Sequence, residues 1–198
     1  MTATGLRIAV ADDEADMRDF LEKALPRLGH QVVAVAEDGA QLVELCRQTR
    51  PDLIITDIKM PGLDGIEASN QICREHPVPV ILVSAYHDPT LIARAEAAHI
   101  LAYLVKPIGL EDLPPAIAIA TRRFGELMAL RKECQDLKQA LADRKLIEQA
   151  KGVLMKVAGI DEKEAFHRLQ QLAADRNLKL VEAAQSVLAV QQAFLPRT

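Results

Sequence analysis

The chain lacks any run of about 18 uncharged apolar residues, the length a membrane-spanning helix needs. Its opening stretch, MTATGLRIAVADDE, turns acidic after only a handful of apolar positions. Neither a membrane span nor a signal peptide is therefore expected, and the reading is a cytoplasmic protein. Cysteine is scarce: Cys46, Cys73 and Cys134 show no CxxC or Cys/His spacing, which excludes a disulfide framework and a zinc site. Internal repeats and low-complexity segments are absent. Net charge is small, −4 overall, but uneven. Residues 1–120 carry 10 Lys/Arg against 18 Asp/Glu, residues 121–142 carry 5 against 3, and residues 143–198 carry 9 against 7. An excess of two positive charges in the tail is ordinarily a solvated helix face and does not establish nucleic-acid binding. What is present is 49% apolar residues in a chain of 198, enough for one ordinary domain and a small second one.

Through residue 120, short apolar runs of β type alternate with helical-period stretches. The runs are LRIAVA (6–11), QVVAVA (31–36), DLIIT (52–56), VPVILVS (78–84) and LAYLV (101–105), with amphipathic stretches near 14–28, 38–49, 64–75 and 88–98. Strands apolar on both faces belong to a parallel sheet covered by helices on both sides. Ligands of such sheets bind at the carboxyl ends of the strands. After Gly109 the pattern is helical. Leu127, Leu130, Cys134, Leu137 and Leu141 step by 3, 4, 3 and 4 residues, which is a heptad seam. Such a stripe packs against a second copy or against its own chain. Further helices are expected at about 143–157, 162–174 and 179–191, the second opened by Asp161 and Glu164 in a capping-box arrangement. The expected division is 1–120, a helical or coiled-coil segment over 121–142, and a three-helix domain over 143–198.

Each strand end of the sheet delivers a polar residue to one edge: Asp12 and Asp13 after the first, Asp57 after the third, Ser84 after the fourth, and Lys106 with Pro107 after the fifth. Converging carboxylates repel one another, and a hard cation such as Mg²⁺ with oxygen ligands relieves the repulsion. A carboxylate on a rigid strand end can attack a phosphoryl group, with Lys106 and the cation neutralising the transferring oxygens. Asp57 is the candidate nucleophile.

The motifs VADDE, DLIITDIKMPGLDG, ILVSAY and AYLVKPI resemble, in order and interval, those of receiver domains of two-component response regulators over about residues 5–120. The resemblance implies a flavodoxin-like, doubly wound five-stranded parallel sheet in the order 2-1-3-4-5. It implies phosphorylation of Asp57 by a sensor histidine kinase, and Mg²⁺ held by Asp13, Asp57 and the Lys59 backbone carbonyl with Asp12 nearby. It also implies a Ser84 hydroxyl that moves to the phosphoryl group, an inward-swinging aromatic at Tyr103, and a cis Lys106–Pro107 peptide. Haloacid-dehalogenase-type phosphatases also use a strand-end Asp. Their second acid two residues on is Lys59 here, so independent phosphatase activity is not expected.

Residues 121–198 hold no clustered His, Ser or acidic pair that would make a second active site. A DNA-reading helix would be basic, whereas LKLVEAAQSVLAVQQAF offers only Lys179 and carries Glu182; a DNA-binding transcriptional response regulator is the alternative. Residues 144–188 resemble the ANTAR domain, an RNA-binding output module of transcription antiterminators. The correspondence runs through Ala150-Lys151-Gly152, Leu154-Met155, Glu164-Ala165-Phe166, Leu169, Ala173, Asn177 and Ala184. It implies binding to hairpin loops in nascent leader transcripts, prevention of terminator formation, and a homodimer promoted by phosphorylation. RNA loops are read by cations, hydrogen bonds and stacking. Arg144, Lys145, Lys151, Lys156, Arg168, Arg176 and Lys179 supply the cations, but stacking platforms are absent. The chain departs from family members that carry basic residues at Val157-Ala158 and an arginine at Gln170. Gly152, which costs about 1 kcal/mol inside a helix, is expected either to admit a neighbouring helix or to clear space beside Lys151 for an RNA backbone.

Overall fold

The computed structural model describes residues 5–85 and 100–194; the amphipathic stretch expected near 88–98 lies outside the described residues. The elements are β1 (Arg7–Ala11), α1 (Ala15–Arg27), β2 (Gln31–Ala36), α2 (Gly39–Thr49), β3 (Leu53–Asp57), α3 (Gly65–Glu75), β4 (Val80–Ser84), β5 (Ala102–Val105), α4 (Leu113–Ala158), α5 (Glu162–Asp175) and α6 (Leu180–Phe194). The chain divides into two compact units, Met1–Met128 and Ala129–Thr198.

In the first unit the five strands pair in parallel in the order β2-β1-β3-β4-β5, the flavodoxin-like arrangement expected. Every residue of β3 and β4 is buried. Because successive side chains point to opposite faces of a strand, Ile54 and Leu82 join a core with Leu42, Val43 and Ile66 of α2 and α3. Their neighbours Ile55 and Ile81 join a second core with Leu21 and Leu25 of α1 and with Leu113 and Ile117 of α4. The strands are continuous apolar runs because both faces are covered. Asp38 and Asp64 cap α2 and α3, each accepting a hydrogen bond of 2.8 Å from a backbone N–H three residues on.

The helices expected over 121–142 and 143–157 are one element, the 46-residue α4. No proline follows Pro115 before the helix ends, and the isolated Gly125 and Gly152 weaken a helix without breaking it. The break comes at Gly159, which takes φ +65° and bonds back to the Met155 carbonyl at 3.0 Å. Asp161 then caps α5 through the Glu164 N–H at 2.8 Å. The second unit packs the end of α4 against α5 and α6 around a core of small side chains: Ala150, Ala173, Ala183 and Ala184 surround Leu169.

Candidate functional site

The register of the sheet assembles the acidic edge. Ala11 pairs with Thr56 across β1 and β3, so the next residues, Asp12 just after β1 and Asp57 at the end of β3, stand side by side. Both are buried, at 1% and 6% exposure. Lys106 follows β5, two strands from β3 with β4 between, a span of about 10 Å that only a long side chain crosses. Its ammonium lies 2.8 Å from Asp57 Oδ2, 2.9 Å from Asp12 Oδ2 and 3.2 Å from Glu14 Oε1. Asp13 completes the group, since carboxylate oxygens of Asp12, Asp13, Glu14 and Asp57 all lie within 4.8 Å of one another.

Burial holds the Asp12 carboxyl above its ordinary pKa, against the Lys106 and Glu14 hydrogen bonds; the neighbouring Asp57 charge adds to the rise. Burial also works against the Lys106 charge, but hydrogen bonds to Asp57 and Asp12 outweigh it and the ammonium is held above its usual value. Asp12 Oδ1 accepts from the Glu14 N–H at 3.0 Å and from Lys106 at 3.2 Å. Its Oδ2 meets Lys106 only as an ion-pair contact and has no hydrogen-bond donor. Four carboxylates gathered around a single ammonium leave an excess of negative charge and oxygen ligands that fits a hard divalent cation.

Two glycines press the loop after β3 into place. A Cβ on Gly65 would collide with the Asp57 carbonyl oxygen, and one on Gly39 with the Leu63 carbonyl. The Lys59 N–H points at Asp57 Oδ1, 3.3 Å away. Ser84 is buried at the end of β4, its carbonyl accepting from the Lys106 N–H at 2.9 Å, and the Lys106–Pro107 peptide is cis. Tyr103 lies on β5. It pairs with Leu82 along β5 and lies half-buried against the α2–α3 core.

In the second unit, Lys151 is buried and committed: its ammonium lies 2.7 Å from Glu162 and 2.9 Å from Glu148, and 5.9 Å from the centre of the Phe166 ring. Arg168 pairs with Glu164 at 3.0 Å. Arg144, Lys145, Lys156, Arg176 and Lys179 are exposed, and among the described residues they form no ion pair. Lys156 and Arg176 rim a cavity of about 680 Å³ walled by Val153, Leu154, Val157, Leu172, Val187 and Val190. Gly152 is exposed, and a Cβ there would meet nothing within 4 Å. Of its two readings, close helix packing is thereby set aside.

The receiver-domain family model for response regulators matches residues 8–118, and the ANTAR domain model matches residues 135–188. The chain is 41% identical over 182 residues to the transcriptional regulatory protein PdtaR of Mycobacterium tuberculosis, covering 92% of this chain and 89% of that protein. It belongs to the response regulators that join a receiver domain to an ANTAR domain. AfsQ1, a transcriptional regulatory protein of Streptomyces coelicolor, is 36% identical over 116 residues, which cover 59% of this chain and 51% of that protein. Among solved structures, the receiver domain of the putative response regulator NarL from Mycobacterium tuberculosis superposes with a TM-score of 0.56 at 28% identity, covering 60% of this chain and 98% of that one. The receiver of Thermotoga maritima CheB superposes with a TM-score of 0.52 at 31% identity, covering 60% and 94%. This is a family of regulators and not of enzymes.

In this response regulator two features of the sites were invisible to motif spacing. Glu14, the third carboxylate on Lys106, reads in the sequence only as the residue that opens α1. Its one signal was adjacency to Asp12 and Asp13. Lys151 also pairs with Glu162, which lies beyond the Gly159 break and had no helical spacing to announce it.

Proposed function

We propose that this response regulator takes a phosphoryl group on Asp57 from a sensor histidine kinase and answers by binding RNA. An Asp57 carboxylate oxygen attacks the phosphorus of a phosphohistidine, the P–N bond breaks, and an acyl phosphate forms. Lys106, 2.8 Å from Asp57, stands where negative charge gathers on the transferring oxygens. Asp12, Asp13, Asp57 and the Lys59 carbonyl would hold Mg²⁺, which when bound supplies further charge neutralisation. Ser84 and Tyr103 carry the news of phosphorylation out of the site. The observation that supports this reading best is the buried Asp57–Lys106 pair set among the carboxylates of Asp12, Asp13 and Glu14.

The working parts are a receiver over 1–120, a coiled-coil linker over 121–142 and an ANTAR module over 143–198. The module binds hairpin loops in leader transcripts and prevents a terminator from forming, as a homodimer favoured by phosphorylation. Arg144, Lys145, Lys156, Arg176 and Lys179, exposed and without carboxylate partners among the described residues, make the RNA contacts. Lys151 and Arg168 support them from positions already neutralised. Phosphodonor treatment should label the wild-type chain and leave Asp57→Asn unlabelled; acid-labile label on that variant overturns the site. Sequencing RNA crosslinked to the protein in its host should recover hairpin pairs in leader regions. Recovery of duplex DNA sites instead overturns the RNA reading.

A further inference from the structure

The helical unit Ala129–Thr198 is built on small side chains: of its five buried core residues, Ala150, Ala173, Ala183 and Ala184 are alanines. Alanines let helices approach but fill little volume, whereas protein interiors are ordinarily packed without large voids. Beside that core, between the end of α4, the end of α5 and α6, lies the cavity of about 680 Å³ walled by valines and leucines. A second cavity, of about 380 Å³, adjoins it, since Val153, Lys156 and Gln191 line both. It runs past Gly152, whose missing side chain leaves it open. Together they make a long groove.

Size, wall chemistry and charge select the occupant. A volume of this order takes a small molecule. Valine and leucine walls leave the hydrogen-bonding edges of a nucleobase without partners, a cost that an acyl chain does not incur. Ser186 lines the wall too, but its hydroxyl already donates to the Glu182 carbonyl at 2.9 Å. Val157 and Val190 are 78% and 58% exposed, so covering them removes apolar surface from water. Lys156 and Arg176 are exposed and form no ion pair among the described residues, and no described carboxylate lines either cavity. An isologous contact with a second copy would set these cations against each other. A linear apolar body with an anionic head satisfies both the walls and the rim.

We propose that this groove binds an acyl carboxylate, an unbranched fatty acid anion with its chain along Val153, Leu154, Val187 and Val190 and its head on Lys156 and Arg176. Those are two of the cations assigned to RNA above. On that reading, on which this consequence rests, the bound anion and RNA exclude one another, and the regulator's output answers to a small molecule as well as to Asp57.

The test is calorimetric titration of the full chain with dodecanoate below its micellar concentration. One dodecanoate per chain should bind saturably. Acetate, which lacks the chain, and dodecyltrimethylammonium, which carries the opposite charge, should not bind. Val190→Trp, filling the groove from an exposed position, should weaken binding at least tenfold with an unchanged unfolding midpoint, and so should Lys156→Gln with Arg176→Gln. Uptake that never saturates, that is equal for dodecyltrimethylammonium, or that survives both sets of substitutions overturns the site. Binding to phosphatidylglycerol vesicles and not to free dodecanoate overturns it in favour of a lipid surface. In a separate arm, saturating dodecanoate should weaken the binding of hairpin RNA at least tenfold. Dodecanoate binding with RNA affinity unchanged supports the groove and overturns the exclusion. A chain that binds no RNA overturns the RNA reading, and the titration still decides the groove.

Discussion

Gly65 opens α3 directly against the main-chain carbonyl of Asp57, leaving no room between them for a side chain; its own N–H donates to the Ile58 carbonyl at 3.0 Å. Asp57 is thus held from two sides, by β3 and by the first residue of α3. Gly65→Ala should displace the loop, lowering stability by about 1–3 kcal/mol and slowing phosphodonor labelling of Asp57 at least tenfold. Urea unfolding followed by circular dichroism measures the first, and acid-labile incorporation the second. Wild-type values for both would show that the carbonyl moves freely and that the glycine does not position the site.

Gly152 has the opposite environment. With open space around a Cβ there and helical backbone on both sides, Gly152→Ala should raise stability by about 0.5–1 kcal/mol. If RNA affinity falls while stability rises, the open surface beside α4 is an RNA contact. A drop in stability would contradict the space seen around it.

Lys151 holds the Glu162 carboxyl below its usual range, and Glu162 with Glu148 holds the Lys151 ammonium above its own. A depressed carboxyl stabilises above its unfolded value near 4.5 and loses that contribution as pH falls through the lower folded value. Glu162→Gln should therefore destabilise the chain at pH 7 and flatten its stability profile below about pH 4.5, as read from thermal unfolding between pH 3 and 7. An unchanged profile would mean that the bridge is not formed in solution.

The same committed lysine separates structural from RNA-contacting cations. Lys156→Gln and Arg176→Gln should weaken RNA binding and lower the salt slope of the affinity by about one each, with unfolding midpoints near wild type. Lys151→Met should shift the midpoint and leave the salt slope of the folded protein unchanged. A salt slope that drops for Lys151→Met and not for the other two would reverse the assignment.

Burial, with Cys73 adding to it, pushes the Cys46 thiol up to about 12, so it stays protonated across the ordinary range. Alkylation of the native protein at pH 7 to 9 should mark exposed Cys134 first and leave Cys46 unmodified, its rate not rising over that interval. Early loss of the Cys46 peptide signal would mean that α2 opens far more readily than its packing against the sheet allows.

The carboxylate edge was legible in advance because it needs only one-dimensional information. An apolar run that ends in Asp12, Asp57, Ser84 or Lys106 places that residue at the carboxyl end of a strand, and parallel strands share their ends. Glu14 escaped because its contact with Lys106 joins residues 92 apart in sequence. The two readings of Gly152 stayed open for a related reason. A small residue in a helix signals close approach only if a neighbour is present, and here the approach is made two positions earlier at Ala150, fully buried beside Leu169 and Ala184. The helix expected to begin at 143 is continuous with the one before it because no residue between Pro115 and Ala158 stops it.

By itself the sequence determined the parallel sheet, its strand order through resemblance, the cap at Asp161, and the heptad spacing of α4. Those follow from periodicity and from turn chemistry that acts over a few residues. Only the tertiary structure decided that Lys106 reaches Asp57 across β4, that Gly65 clamps the Asp57 carbonyl, that Lys151 is spent on Glu148 and Glu162, and that the leucine seam stands uncovered. Each of these depends on which surfaces meet after folding, and distance in space, unlike spacing along a helix or strand, is not written in the order of the residues.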